Sequence, residues 1–236
     1  MTEPAANERA LMRLHIETLF THDARGRMVR VNEPGGKVAP RFFLGRTGAG
    51  LEWRLRDDLD ESLAKELNAA CRADARRATL SSSEGDATNY EELLARFAPI
   101  ERKWTGPAFC FPESLGTAVN TVLVTEDNVH VLRPHLEAWL GDVAQCQPML
   151  VVLADGHAVS ICASVRIGAA AHEAGLETAA AFRRCGYAIH AATAWAIAVR
   201  ALGRIPLYST SWQNAASQAV AHRLGLLRYG IDLHIT

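Results

Sequence analysis

The spacing of apolar residues predicts a small α/β region in the first third of the chain. Residues 7–20 place Leu11, Leu14, Ile16 and Leu19 at helical intervals. The segments RMVRVNE, RFFLGRT and LEWRLR have the apolar character of short strands, and NEPGG between the first two predicts a turn. DESLAKELNAACRADARR then predicts a helix, with acidic residues at its start and arginines at its end.

The middle of the chain carries turn and helix-start signals. SSSEGD, Ser81–Asp86, predicts a linker, and Thr88 with Glu91 forms a capping-box pattern ahead of the helical segment YEELLARF. GPAFCFPES is broken by Pro and Gly and predicts a loop. We therefore expect an N-terminal α/β region of unknown role at residues 1–87 and a second domain at residues 88–236.

The second part alternates strands and helices more regularly. NTVLVT predicts a strand, and EDNVHVLRPHLEAWL predicts a helix that Pro134 kinks or divides. MLVVLA and HAVSICASVRI are joined by Asp155-Gly156, a strong hairpin signal. HEAGLETA, IPLYST and RYGIDLHI predict further strands, and helices are predicted at Tyr187–Leu202 and Asn214–Leu224.

Composition and charge narrow the possible partners. The chain of 236 residues is 49% apolar and carries a formal net charge of −1, so its overall charge gives no reason to expect a nucleic acid or an anionic membrane as partner. Its five cysteines include no C-x-x-C pair, which gives no support for a metal site. The N-terminal residues lack the apolar stretch of a secretory signal. We expect a cytoplasmic monomer or homodimer with free thiols.

The segment AAAFRRCGYA, Ala179–Ala188, combines two cations and a glycine at the start of an apolar helix. The first turn of a helix has unpaired backbone N–H groups and a partial positive charge. A glycine there lets the backbone approach an anion, and arginines supply donors suited to phosphate oxygens. The segment is therefore predicted to hold a pyrophosphate.

The pattern Arg183-x-x-Gly186-x-Ala188 after a strand resembles the signature of the GNAT superfamily of N-acetyltransferases. The chain continues as that family does, with PLYST, then Asn214 opening a helix, then Leu-Gly-Leu at residues 224–226. The resemblance covers about half of the chain, residues 120–236. It implies a mixed, mostly antiparallel sheet flanked by helices, and acetyl-coenzyme A as the acyl donor.

The resemblance also implies which residues bind coenzyme A. A bulge in the strand Ala174–Ala180 would splay the central strands and expose backbone groups to the pantetheine arm, and Asn214 would hold a pantetheine amide, although Asn is equally suited to an N-cap. The implied cofactor-binding residues are Leu176, Thr178, Ala180, Arg183, Arg184, Cys185, Gly186, Tyr187, Ala188, Asn214 and Ser217.

Candidate catalytic residues follow from the need to move protons. Glu177 lies in an otherwise apolar strand and is the first candidate for the base that deprotonates the acceptor, with Glu173 and His172 as rivals. Where the family often has a tyrosine as general acid, this chain has Ala221. Tyr208, His222 or water would then protonate the leaving thiolate.

These inferences together predict an acetyltransferase that acts on an amine-bearing small molecule or peptide without a metal. The alternative is a GNAT fold that binds coenzyme A without turnover and acts in regulation or partner interaction. The missing tyrosine favours the alternative, whereas the phosphate loop and Glu177 favour the enzyme.

Overall fold

A computed structural model describes residues 4–76 and 88–236 of the chain. They form two compact units, and each unit is built from segments that are not contiguous in the chain. The first unit contains the residues up to Ala108 together with Thr210–Gln213 and Arg228–Thr236, and the second contains Phe109–Ser209 and Asn214–Leu227.

The first unit is an antiparallel sheet with helices on both faces. Its helices are α1 (Pro4–Leu19), α2 (Glu61–Ala75) and α3 (Thr88–Ala95). Its strands are β1 (Phe20–His22), β2 (Met28–Val31), β3 (Phe42–Thr47), β4 (Gly50–Leu55), β5 (Lys103–Cys110) and β11 (Leu227–Ile235), of which β5 ends and β11 begins in the second unit. β1 and β2 form a separate hairpin, and the larger sheet has the order β4-β3-β11-β5.

The two faces of this sheet are buried by different means. One face packs Phe42 and Leu44 of β3 and Leu233 of β11 against the apolar sides of α2 and α3. The other face carries polar groups under α1. There His15 Nε2 donates a hydrogen bond of 2.9 Å to Asp232 Oδ2, and both side chains are completely buried. The pair joins α1 to a strand that lies 217 residues further along the chain.

The second unit contains β6 (Thr121–Leu123), β7 (Met149–Ala154), β8 (His157–Ile167), β9 (Ala171–Thr178) and β10 (Ile205–Ser209), in the order β10-β9-β8-β7-β6. Neighbours are antiparallel except β9 and β10, which are parallel. Asp155 and Gly156 adopt positive φ angles of 50° and 82° in the turn between β7 and β8, as a tight hairpin of this kind requires.

Helices cover both faces of the second sheet. On one face, α4 (Tyr187–Ala201) and α5 (Ala215–Arg223) bury an apolar cluster around Trp195 and Cys162. On the other face lie 3₁₀ helices at Glu126–Leu132 and Glu137–Asp142. Leu132 of the first helix and Leu136, the N-cap of the second, pack onto β7 and β8. The predicted helix around Pro134 is therefore divided at the proline, as one of the two expected outcomes.

Most elements predicted from the sequence are present, and GPAFCFPES is the clear error because its first part is strand β5 rather than a loop. A Cβ atom built on Gly106 would lie 1.8 Å from the carbonyl oxygen of Thr210, so the glycine allows close backbone approach and does not break the strand. The predicted linker Ser81–Asp86 lies outside the described residues. The capping side chain predicted at Thr88 also lies outside them, although α3 does begin there.

The compact units divide the chain differently from the predicted domains at residues 1–87 and 88–236. β11 is hydrogen-bonded to β3 from Ile231–Arg46 to Ile235–Phe42, so the C-terminal strand completes the sheet of the first unit. Pairing between such distant segments leaves no mark on local sequence patterns.

Candidate functional site

The parallel strands β9 and β10 separate part of the way along their length. Their ladder runs from Ile205–Ala171 to Leu207–Glu173 and ends there, whereas β9 continues to Thr178. On its other edge, β9 stays paired with β8 as far as Thr178. The edge of β9 after Glu173 therefore offers backbone groups that can pair with an extended ligand.

The irregularity next to this separation lies in β8. Ser164 pairs with Ala174 and Arg166 with Glu173, so Val165 is the extra residue of a bulge. A Cβ atom on Gly175 would lie 2.1 Å from Val165 Cγ1, so any side chain at that position would have to displace its neighbours. From Ala174 to Thr178, β9 itself is regular. Glu177 and Thr178 consequently face opposite sides of the sheet.

The turn between β9 and α4 has the geometry of an anion site. Gly186 is the N-cap of α4 with φ of 88°, and Arg184 also has a positive φ, of 65°. Arg183 Nε donates a hydrogen bond of 3.1 Å to the Thr178 carbonyl, which ties the turn to the end of β9. A Cβ atom on Gly186 would meet no atom within 4 Å, so the space above the glycine is open. First-turn amides and two arginines suit a phosphate there.

The other residues predicted to bind coenzyme A lie along β9, the turn and the start of α5. Leu176 and Tyr187 both pack against the apolar cluster under α4, and Thr178 on the same face as Leu176 shares a hydrogen bond of 2.8 Å with Ser160. Ala180 and Cys185 are exposed in the turn, and Ala188 is half-buried in the first turn of α4.

Asn214 serves as the N-cap of α5, where its Oδ1 accepts a hydrogen bond of 3.1 Å from the Ser217 backbone N–H. The structural role that the sequence suggested is therefore present. Ser217 Oγ in turn shares a hydrogen bond of 2.6 Å with the Tyr208 hydroxyl, so Tyr208 and the start of α5 are directly linked.

Two of the candidate carboxylates lie on the face of β9 that points away from α4. Glu173 is only 2% exposed, and its Oε1 accepts a hydrogen bond of 2.6 Å from Ser209 Oγ, at the level where β9 and β10 separate. Glu177 is exposed, and its Oε2 accepts a hydrogen bond of 2.6 Å from Trp139 Nε1. Their surroundings differ because Glu173 is next to the separation of the strands and Glu177 lies four residues beyond.

His172, the third candidate base, points to the opposite face. Its Nδ1 lies 2.9 Å from Ser164 Oγ, which accepts a hydrogen bond from Trp195 Nε1 beneath α4. Burial, with a smaller contribution from the positive charge of Arg204, lowers the pKa of His172. The structure does not bring this imidazole together with Glu173 or Glu177.

The candidate general acids are placed very differently. Tyr208 is 3% exposed, and burial raises its pKa to about 12, with the hydrogen bond to Ser217 acting in the opposite direction. His222 is exposed in the last turn of α5. Ala221 beside it is buried in the cluster between α4 and α5.

Trp139 is the site residue that sequence reasoning did not single out. Trp139 lies in the 3₁₀ helix Glu137–Asp142 and approaches Glu177 across 38 positions of the chain, so no local pattern indicates this contact. Ser209 had a weak signal, because it lies at the polar end of the predicted strand IPLYST. Ser211 and Gln213 line an open cavity of about 560 Å³ in the first unit together with Arg46, Arg102 and Trp104.

Two classes of site find no support in the part of the chain that is described. Residues 4–76 and 88–236 contain no cluster of three His, Cys, Asp or Glu side chains arranged to hold a metal ion. None of the helices in those ranges is long and apolar enough to cross a membrane.

No protein-family model and no curated protein matches the chain, but solved structures do. A GNAT-family acetyltransferase from Colwellia psychrerythraea is 12% identical with a TM-score of 0.50, and the match covers 78% of this chain and 76% of that one. A GCN5-related N-acetyltransferase from Kribbella flavida is 15% identical with a TM-score of 0.48, covering 100% and 95% of the two chains.

A GNAT-family protein from Novosphingobium aromaticivorans, described as an acetyltransferase, is 15% identical with a TM-score of 0.48. The match covers 58% of this chain and 65% of that protein, which is less than two thirds of its length. The chain has the fold of the GNAT superfamily, and the predicted fold class, a mixed and mostly antiparallel sheet flanked by helices, is confirmed.

Proposed function

We propose that the protein transfers an acetyl group from acetyl-coenzyme A to an amine by direct attack. The observation that carries the proposal is the separation of β9 and β10 after Leu207–Glu173, which leads along β9 to the Arg183–Ala188 turn. An extended pantetheine arm has a strand edge to pair with, and a pyrophosphate has the N-terminus of α4 beyond it.

The thioester would then lie near the point of separation. Attack by the neutral amine forms the C–N bond, and collapse of the tetrahedral intermediate breaks the C–S bond and releases coenzyme A as thiolate. Backbone N–H groups on the open edge of β9 would stabilise the oxyanion of that intermediate. The chemistry needs one base for the ammonium of the acceptor and one proton for the thiolate.

We assign the base function to Glu173 acting through Ser209. Ser209 is partly exposed and donates to the buried Glu173 carboxylate at 2.6 Å, so its hydroxyl can take a proton from the acceptor while it passes its own proton to Glu173. Glu177 remains the competing candidate. It is exposed to solvent but its carboxylate is already engaged by Trp139, and it lies further from the end of the ladder.

A second candidate function is coenzyme A binding without turnover. It is favoured by Ala221, which is 1% exposed in the core where the family often places its acidic tyrosine. On that hypothesis, the Arg183–Ala188 turn binds the same ligand but no acyl group leaves the donor. The enzyme must supply a proton to the leaving thiolate, from Tyr208, His222 or water, whereas the binding module needs no such proton.

A pair of glycine substitutions in the full-length protein tests the coenzyme A site. Gly186 and Gly203 lie at opposite ends of α4, both with positive φ (88° and 70°) and with open space where a Cβ would be, so Gly186→Glu and Gly203→Glu impose comparable backbone strain. Only Gly186→Glu places a negative charge in the proposed phosphate site. We expect it to weaken coenzyme A binding by about tenfold or more, whereas Gly203→Glu leaves it unchanged.

Calorimetry measures this binding, and release of free thiol from acetyl-coenzyme A with a panel of amines measures turnover. Equal affinity of both variants and wild type would place the cofactor elsewhere. Binding that depends on Gly186 without turnover on any amine would favour the binding module.

A further inference from the structure

The pair formed by Glu177 and Trp139 stands outside the proton transfer assigned to Ser209 and Glu173. Trp139 belongs to the 3₁₀ helix Glu137–Asp142, and its backbone N–H donates to the carbonyl of Leu136, which is 1% exposed. The indole lies against β9, since Cη2 is 3.2 Å from the position of a Cβ on Gly175. The tryptophan is thus anchored at its backbone and at its ring.

This anchoring fixes a carboxylate at the surface. Trp139 Nε1 donates to Glu177 Oε2 at 2.6 Å, a short hydrogen bond to a charged acceptor. A carboxylate has several acceptor positions, and the indole N–H occupies one of them. Glu177 is otherwise exposed, so the rest of the carboxylate is available to a ligand beside an aromatic ring. Such a combination suits an ammonium or guanidinium group.

The position of Glu177 relates it to the reacting group. Glu173 and Glu177 lie on the same face of a regular strand, and at about 3.3 Å per residue their Cα atoms are about 13 Å apart. We infer, on the basis of the proposed function, that Glu177 held by Trp139 binds a second cation of the acceptor. The preferred acceptor is then an elongated amine with a second positive charge distant from the nitrogen that is acylated.

A purely structural role for the pair is the competing explanation, and matched substrates separate the two. Octamethylenediamine and octylamine have the same carbon chain, but only the diamine carries a second ammonium. The test measures acetyl transfer to each amine, and calorimetry of each amine with the protein gives a readout that does not depend on turnover.

We expect wild type to show a KM for the diamine about fivefold below that for octylamine, the size of an exposed ion pair. Glu177→Gln should abolish this difference by raising the diamine KM with unchanged kcat, and should leave octylamine unaffected. Trp139→Phe retains an aromatic ring but loses the N–H donor, and should raise the diamine KM by a smaller factor. Glu137→Gln is the control, because it removes an exposed carboxylate two positions from Trp139 that pairs with Arg133.

A loss in Glu177→Gln that is equal for both amines, or confined to kcat, would overturn the inference while leaving acyl transfer intact. Failure of acyl transfer with both amines, together with diamine binding that disappears in Glu177→Gln, would count against the proposed function and leave Glu177 as a cation-binding site without an acceptor role. Equal calorimetric affinity of wild type and Glu177→Gln for the diamine would overturn the inference.

Discussion

Ser209 Oγ donates a hydrogen bond of 2.6 Å to Glu173 Oε1, and this contact lies where β9 and β10 stop pairing. Ser209 is the last residue of β10 and Glu173 is the last residue of β9 in the parallel ladder. A partly exposed hydroxyl is thereby connected to a buried carboxylate at the one place where the two strands open. In the proposed mechanism, this arrangement would pass a proton from the acceptor to a carboxylate that solvent hardly reaches.

The first prediction concerns this connection. Glu173→Gln should lower kcat for acetyl transfer by about 10²–10⁴-fold, the usual range for loss of a general base, with the affinity for coenzyme A unchanged. The loss should shrink as the pH rises, because more of the acceptor is then already neutral. Glu173→Asp should restore part of the rate, and Ser209→Ala should lower kcat by a smaller factor than Glu173→Gln.

Steady-state rates from about pH 6 to 10, together with a thermal melt of each variant, check this first prediction. The pH series rises to the ordinary pKa of an amine, about 10, so that the neutral fraction of the acceptor increases along it. A kcat loss in Glu177→Gln with an unaffected Glu173→Gln would return the base to Glu177.

The second prediction concerns the proton for the leaving thiolate. Tyr208 is buried with a pKa of about 12, so it is protonated at neutral pH and holds a proton next to the start of α5. His222 is exposed at the other end of that helix. We expect Tyr208→Phe to reduce kcat by about tenfold or more, at the low end of general acid effects, and His222→Ala to leave it unchanged.

Measurement of both variants with acetyl-coenzyme A at saturation tests the second prediction. Wild-type kcat in Tyr208→Phe and His222→Ala alike would mean that water protonates the thiolate. A loss only in His222→Ala would reverse the assignment.

The sequence predicted the elements around the site better than it predicted their neighbours. The hairpin at Asp155-Gly156, the start of α4 at Gly186 and the N-cap at Asn214 depend on local geometry, which residue type determines directly. The pairing of β11 with β3 depends on residues almost two hundred positions apart, such as Ile231 and Arg46, and has no local signature.

The same distinction applies to the candidate site residues. Glu173 and Glu177 were both visible as carboxylates on one apolar strand, but the sequence does not show where β10 ends its pairing or which distant side chain reaches each of them. The two carboxylates differ in their hydrogen-bond donors, Ser209 for Glu173 and Trp139 for Glu177, and both contacts arise from the tertiary fold.

The third prediction concerns the stability of the first unit at low pH. Burial by itself would raise the pKa of Asp232, but hydrogen bonds from His15 and His234 lower it from 3.8 to about 2. A carboxyl group whose pKa is lower in the folded state stabilises the fold above its unfolded pKa, and this stability is lost as the pH falls from about 4 to 2. The contribution is on the order of 2 kcal/mol.

Urea unfolding between about pH 7 and pH 2 measures this contribution. The series includes values above and below about 4, the pKa of Asp232 in the unfolded chain. Asp232→Asn should be less stable than wild type at neutral pH and should lose less stability on acidification. Asp155→Asn is the control, because Asp155 is exposed in the hairpin turn, where Asn also suits the positive φ. An Asp232→Asn protein with the same acid-induced loss as wild type would contradict the prediction.

The fourth prediction concerns the contact of Gly175 with the bulge in β8. A Cβ at position 175 would lie 2.1 Å from Val165 Cγ1 and 3.2 Å from Trp139 Cη2, so Gly175→Ala must displace Val165 or the indole. We expect a loss of about 1–3 kcal/mol of unfolding free energy, as for other overpacked sites. Displacement of the indole should also weaken its hydrogen bond to Glu177 and raise the KM of the diamine.

Three further variants, Gly116→Ala, Val165→Ala and a double variant, determine whether this clash is the cause. Gly116→Ala adds the same methyl group where no atom lies within 4 Å, so we expect it to be neutral or slightly stabilising. In the double variant Gly175→Ala with Val165→Ala, the second change removes the methyl groups that the first one meets, so it should cost less than the sum of the two single changes. Urea unfolding of wild type, Gly175→Ala, Val165→Ala and the double variant gives the coupling free energy. Strict additivity would show that the two residues do not compete for this space, and that Gly175 is required for another reason.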